Sequence, residues 1–116
     1  MVKMILCLRR RPELSPEAFR QHWRDSHAPI VAKHAATLGI KRYVQVYGLE
    51  AAPTGGRPEG FDGIGEVWIE SIEAFWAAIA TPQGAIAARE IGETDAFLTE
   101  LSRSPRTFGT EIPIIG

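Results

Sequence analysis

The sequence predicts one α+β domain over residues 1–116, with the element order β-α-β-β-α-β. Three observations carry this. Four short segments alternate their apolar residues as strands do. Between the first two lies a capped stretch whose apolar residues recur every three or four positions, the spacing of a helix. A second capped apolar stretch, SIEAFWAAIA, stands between the third strand and the fourth.

In chain order, Val2 to Arg9 is the first strand, with Val2, Met4, Leu6 and Leu8 on one face and Ile5 and Cys7 on the other. Pro12 to Pro16 turns the chain into a long helix. Ser15 is its N-cap, Pro16 takes the first helical position and Glu17 complements the positive end of the dipole. Phe19, Trp23, His27, Ile30, His34 and Leu38 form the stripe that faces the sheet, an arc of roughly 100°. Gly39 ends the helix. Pro29 falls inside it, where a straight helix would lose ~3 kcal/mol. A kink or restart is therefore expected near Ser26 to Pro29, turning His27 toward the gap.

Ile40 to Leu49 is the second strand, with Ile40, Val44 and Val46 opposed to Tyr43, Tyr47 and Leu49. Ala51 to Gly60, rich in Gly and Pro, is a loop. Gly63 to Glu70 is the third strand, setting Ile64 and Trp68 against Val67 and Ile69. Ser71 caps the second helix, and Thr81 with Pro82 restarts it through about Arg89. Gly92 is read as a break, after which Thr94 to Leu101 forms a last short helix, with Asp95 and Glu93 at its start for dipole reasons. Phe108 to Ile115 is the fourth strand, placed at a sheet edge by Pro113.

This order is the split βαβ, ferredoxin-like plan. Right-handed crossovers put both helical layers on one face of an antiparallel sheet. Every strand nevertheless carries apolar residues on both faces, whereas a sheet with one wet face should alternate cleanly. A second copy, packed sheet against sheet, would cover the leftover face. A homodimer closing into a barrel-like core is the expectation.

The net charge is −1, so no electrostatic footprint for nucleic acid or an anionic membrane is present. No run is long enough to span a bilayer. Cys7 has no partner for a disulfide and fits a reducing cytoplasm. A metal site is not expected: His27 and His34 share a face but lie about 10 Å apart along a helix axis. No cofactor is expected either, and no residue pattern specifies a haem.

His27 is the candidate for chemistry. Imidazole exchanges a proton near neutral pH, and partial burial favours its neutral, basic form. Were Asp62 to reach it, the carboxylate would fix the tautomer and stabilise the imidazolium. The alternative is a structural histidine bonded to the carbonyl that Pro29 frees. Trp23, His34, Tyr43, Trp68 and Phe97 are the candidate wall of an apolar binding pocket, or else plain core.

The run Phe19-x-x-x-Trp23-x-x-x-His27-x-Pro29 resembles the EthD family of dimeric α/β-barrel proteins. Phe61-Asp62-Gly63 with Glu66-Val67-Trp68 is similar to the family's Asp-Gly approach to the third strand. Ala74-Phe75 through Thr81-Pro82-Gln83-Gly84, with Asp95-Ala96-Phe97 after it, is similar to its second helical region. His22 departs from the tyrosine common before the tryptophan. The resemblance implies a pocket between sheet and long helix in each subunit. It implies likeness to cofactor-free monooxygenases of aromatic polyketide pathways, to fungal relatives regarded as dehydratases, and to a protein linked to bacterial fuel-ether degradation. Three readings follow. One is an enzyme whose base removes a proton from an apolar ligand, leading to dehydration or oxygenation. Another is an accessory protein that holds a small hydrophobic metabolite. The third is a dimerisation module with its pocket filled by Trp23 and Trp68.

Overall fold

The computed structural model describes residues 1–116. Strand β1 (Val2–Leu8) leads to α1 (Pro16–His22), a π-helical turn (Trp23–His27) and α2 (Ala28–Leu38). Then come β2 (Ile40–Tyr47), β3 (Gly63–Ile69), α3 (Ile72–Ile79), α4 (Pro82–Leu98), a 3₁₀ turn (Leu101–Arg103) and β4 (Arg106–Gly109). The four strands form one antiparallel sheet in the order β2-β3-β1-β4, so β1 and β3 are central and β4 is an edge. The fold is the expected α+β, ferredoxin-like one.

The helix starts are built as the sequence implies. The Ser15 hydroxyl accepts from Ala18 N–H at 3.1 Å, that of Ser71 from Ala74 N–H at 3.0 Å, and that of Thr81 from Gly84 N–H at 3.0 Å. Each satisfies an N–H with no partner inside its helix. Gly39 closes α2 at φ +69°, a left-handed conformation that glycine adopts without steric cost.

Pro29 does not end the long helix: the chain stays helical from Pro16 to Leu38, with regular α-helix resuming at Ala28. The turn before it widens instead: Ala28 N–H reaches back five residues to the Trp23 carbonyl, so the ladder continues through the proline in α2's first turn. The wider turn also explains the stripe. Phe19, Trp23, His27 and Val31 follow at steps of four, which on a regular α-helix would drift by about 40° each. Widening removes part of that drift, and the buried residue after His27 is Val31, where the periodicity alone points to Ile30.

Three further expectations are corrected. In β2 a bulge between Ile40 and Arg42 flips the phase, so Ile40 shares the helix-covered face with Tyr43 rather than with Val44 and Val46. Gly92 does not break α4, which runs unbroken from Pro82 to Leu98. The last strand ends at Gly109, opposite Lys3. Pro113 therefore lies outside the sheet.

The helix-facing side of the sheet holds the core. Met4, Val67 and Ile69 pack with Leu38, Phe75 and Ala87, while Leu8 packs with Phe19, Trp23 and Leu98. On the outer side, Ile5, Cys7, Val44, Val46 and Ile64 line one end. At the other end Trp68 sits between the Lys3 ammonium and the Arg42 guanidinium, each 4.6 Å from its ring. Glu66 there pairs with Lys3 at 3.1 Å.

Trp23 is held by close fit. It stacks near Phe19 and meets Tyr47 edge-on at 5.1 Å between ring centroids. Beneath it lies Gly63, where a Cβ would come within 2.7 Å of the indole ring. With the ring enclosed on its other sides, Gly63→Ala should destabilise the fold by ~1–3 kcal/mol, seen as a lower urea midpoint at unchanged slope.

Candidate active site

A cavity of about 250 Å³ lies between the sheet and the helices. Met4, Leu6, Val31, Leu38 and Val67 form its apolar interior. Exposed Trp76 and Arg106 mark its open side. Four of its lining residues carry polar side chains: His27, Tyr43, Asp95 and Arg106.

His27 sits in the widened turn with only 4% of its surface exposed. Its Nδ1 is 2.6 Å from the Thr94 hydroxyl, which itself donates to the Ile91 carbonyl at 2.9 Å. A hydroxyl has one proton to give. With that proton on Ile91, Thr94 can only accept, so neutral His27 carries its proton on Nδ1. The Nε2 lone pair is left free, 3.5 Å from the Asp95 carboxyl. Burial pulls His27 down to about 4 and pushes Asp95 up to about 6, the latter opposed by the Arg106 charge. At neutral pH the pair is therefore an unprotonated imidazole beside a carboxylate.

Tyr43 comes from β2, on the face turned toward the cavity. Its hydroxyl accepts from the Gln45 amide at 3.0 Å, and Gln45 also caps the Trp23 carbonyl in the widened turn at 3.0 Å. No protein acceptor takes the Tyr43 proton. Burial raises its pKa to about 12, so it stays a hydrogen-bond donor at any physiological pH.

The other anticipated residues lie elsewhere. Asp62 does not meet His27. It accepts from Arg10 N–H at 3.0 Å and pairs with the Arg10 guanidinium at 3.3 Å, tying the long loop to the end of β1. His34 is buried one stripe position beyond Val31 but bonds Glu90, whose carboxyl is held below its ordinary value by that contact. Trp23 belongs to the packed core and Trp68 to the outer face of the sheet, so neither fills the cavity. Phe97 is 54% exposed and stacks edge-on against His22. Only His27 and Tyr43 of the anticipated set reach the cavity. Thr94 and Asp95 replace Asp62 as His27's partners, and Arg106 was not anticipated. The signal for Asp95 was present: Ala88, Ile91, Asp95 and Leu98 keep helical spacing straight through Gly92.

No cluster of three His, Cys, Asp or Glu side chains is poised to hold a metal ion, and no helix is long and apolar enough to cross a membrane.

The model of the EthD domain matches residues 11–93. The chain belongs to the EthD family. Solved structures agree in fold. An EthD-family protein from Bacillus halodurans superposes with a TM-score of 0.64 at 20% identity, over 97% of this chain and 100% of that one. A protein from Arabidopsis thaliana gives 0.62 at 17% identity, covering 99% of both chains. A mutant of SnoaB, a cofactor-independent oxygenase from Streptomyces nogalater, gives 0.59 at 15% identity, over 98% of this chain and 95% of that one. No curated protein matches. Within this EthD chain the matched region carries His27, Tyr43 and most of the cavity's apolar wall, while Met4 and Leu6 lie before it and Thr94, Asp95 and Arg106 beyond it.

Proposed function

We propose that this EthD protein is a cofactor-independent acid–base enzyme acting on a small apolar, aromatic or polyketide-like molecule. One observation carries the reading: the Thr94 hydrogen bond fixes His27 with its Nε2 lone pair free, in an apolar cavity and beside a carboxylate. The imidazole removes a proton from a carbon next to a carbonyl. Asp95 stabilises the imidazolium that forms, and the Tyr43 hydroxyl donates to the developing enolate oxygen. In a β-hydroxy ketone the enolate then expels the hydroxyl, which leaves as water with the proton returned from His27. In a substrate whose carbanion is electron-rich, the same first step prepares reaction with dioxygen. The likeness to SnoaB supports that second branch.

The working unit of the proposal is a homodimer, with the apolar end of the outer sheet face covered by a second copy. Solved relatives of this fold from Bacteroides fragilis and Thermobifida fusca are described as dimeric. Ile64→Glu, on that face, should shift sedimentation from dimer to monomer without changing the helix content.

The direct test is deuterium incorporation, followed by NMR, into an apolar β-hydroxy aryl ketone incubated with the protein in D₂O. An enzyme accelerates exchange at the carbon beside the carbonyl well above buffer. A protein that only holds its ligand binds the ketone and leaves exchange at the buffer rate, and that result would end the catalytic reading.

A further inference from the structure

Arg106 occupies a position at which the fold itself asks for an apolar residue. In the register of β4 on β1 it stands opposite Leu6, as Phe108 stands opposite Met4. Met4 and Leu6 both line the cavity, and paired residues point to the same face of a sheet. Phe108 accordingly packs against the core, while Arg106 brings a guanidinium to the cavity's rim.

That guanidinium is unpartnered. Other arginines of the chain are tied down elsewhere: Arg9 donates to the Gly60 carbonyl, Arg10 pairs with Asp62, and Arg20 bonds the Gly48 carbonyl and lies near Glu50. The Arg106 side chain makes no hydrogen bond and no ion pair with any protein group; its neighbour is the Trp76 ring, 5.9 Å away. Asp95, the one carboxyl on the same cavity, is turned to His27 instead. A planar cation with all its donors free, beside an aromatic ring and over an apolar cavity, matches a carboxylate on an apolar body. The opposing residues are compatible: His27 is neutral, and the Asp95 carboxylate is turned to His27 Nε2 at 3.5 Å, away from the rim where Arg106 stands.

Resting on the cavity as the binding site, we infer that its ligand is an apolar molecule bearing a carboxylate, and that Arg106 is the specificity residue that binds this group. The body of the ligand then lies inward along Leu6, Val31 and Val67, with its reactive carbon toward His27.

The test compares 2-naphthoate with 2-naphthamide, a neutral molecule of nearly the same shape, by titration calorimetry at pH 7.5. Naphthoate is expected to bind at least tenfold more tightly. Arg106→Gln should abolish that preference by weakening naphthoate alone, with naphthamide kept within twofold, which also shows that the variant is folded. Arg106→Lys should keep part of the preference. Equal affinities in the wild type, or a preference that survives Arg106→Gln, would overturn the assignment. Ala88→Trp, which fills the cavity, separates the two claims. If it blocks naphthamide binding while Arg106→Gln changes nothing, the cavity reading stands and the carboxylate reading falls. If neither probe binds the wild type, both fall.

Discussion

Replacing His27 by glutamine is expected to slow ketone deuteration by roughly 10²–10⁴-fold, the usual contribution of a positioned general base. Glutamine keeps an amide N–H that can still reach the Thr94 hydroxyl, so local packing changes little. What it lacks is a basic lone pair at the Nε2 position. The loss should appear in the rate at saturating ketone, with binding of the ketone nearly unchanged, because His27 is one wall residue among many apolar ones. Thr94→Val should cost less. It removes the acceptor that holds the proton on Nδ1, so the imidazole spends part of its time in the wrong tautomer. The pH profile of the wild type follows from the pair. Exchange requires unprotonated His27 and is strongest with Asp95 ionised, so it should climb with pH and level off above about 6. A profile still rising through pH 8 would point to a different base.

The place of His27 on the cavity was legible because its cause is local. A polar residue on a strict apolar stripe, two positions before a proline, stands out in any helical reading. Its partner was not legible in the same way. Choosing Asp62 followed the Asp-Gly at the approach to β3, but side-chain partners depend on how elements pack, and Arg10 at the end of β1 is nearer. Asp95 was set aside through one local assumption, that Gly92 ends a helix. Glycine weakens a helix interior by only about 1 kcal/mol relative to alanine. Burial of Ala87 and Leu98 on either side easily outweighs that. The same logic governs the C-terminal strand. Apolar residues over Phe108 to Ile115 satisfy a strand pattern, yet a strand needs a neighbour, and β1 starts at Val2. Sheet order and the inner face of β3 were legible because alternation and crossover handedness are global constraints. The bulge at Lys41 was not, since a single added residue leaves no mark in composition and inverts every side chain before it.

Asp95→Asn should raise stability at neutral pH by up to ~3 kcal/mol, and this gain should vanish near pH 4. Burial moves the Asp95 pKa from an ordinary 3.8 to about 6, so each unit corresponds to ~1.4 kcal/mol of differential stability. Between those values the folded state holds a proton that the unfolded chain has lost. Stability from this group is therefore fully present below pH 3.8 and is lost as pH rises through 6. His27 acts in the opposite sense. Its pKa falls from 6.5 to about 4, so its stability is full above 6.5 and is lost as pH falls toward 4, again by ~3 kcal/mol. In the wild type the two slopes nearly cancel across pH 4 to 6.5, leaving a flat profile that hides both strained ionisations. Asparagine keeps the shape and removes only the charge. Urea denaturation of Asp95→Asn should then reveal the His27 slope, with stability falling as the solution is acidified. Adding His27→Gln should flatten the profile once more. On the proposed function, a carboxylate held at this cost beside a neutral imidazole is stability exchanged for the acid–base pair. If Asp95→Asn proves no more stable than the wild type at pH 7.5, the carboxylate is not strained there and its role beside His27 must be given up.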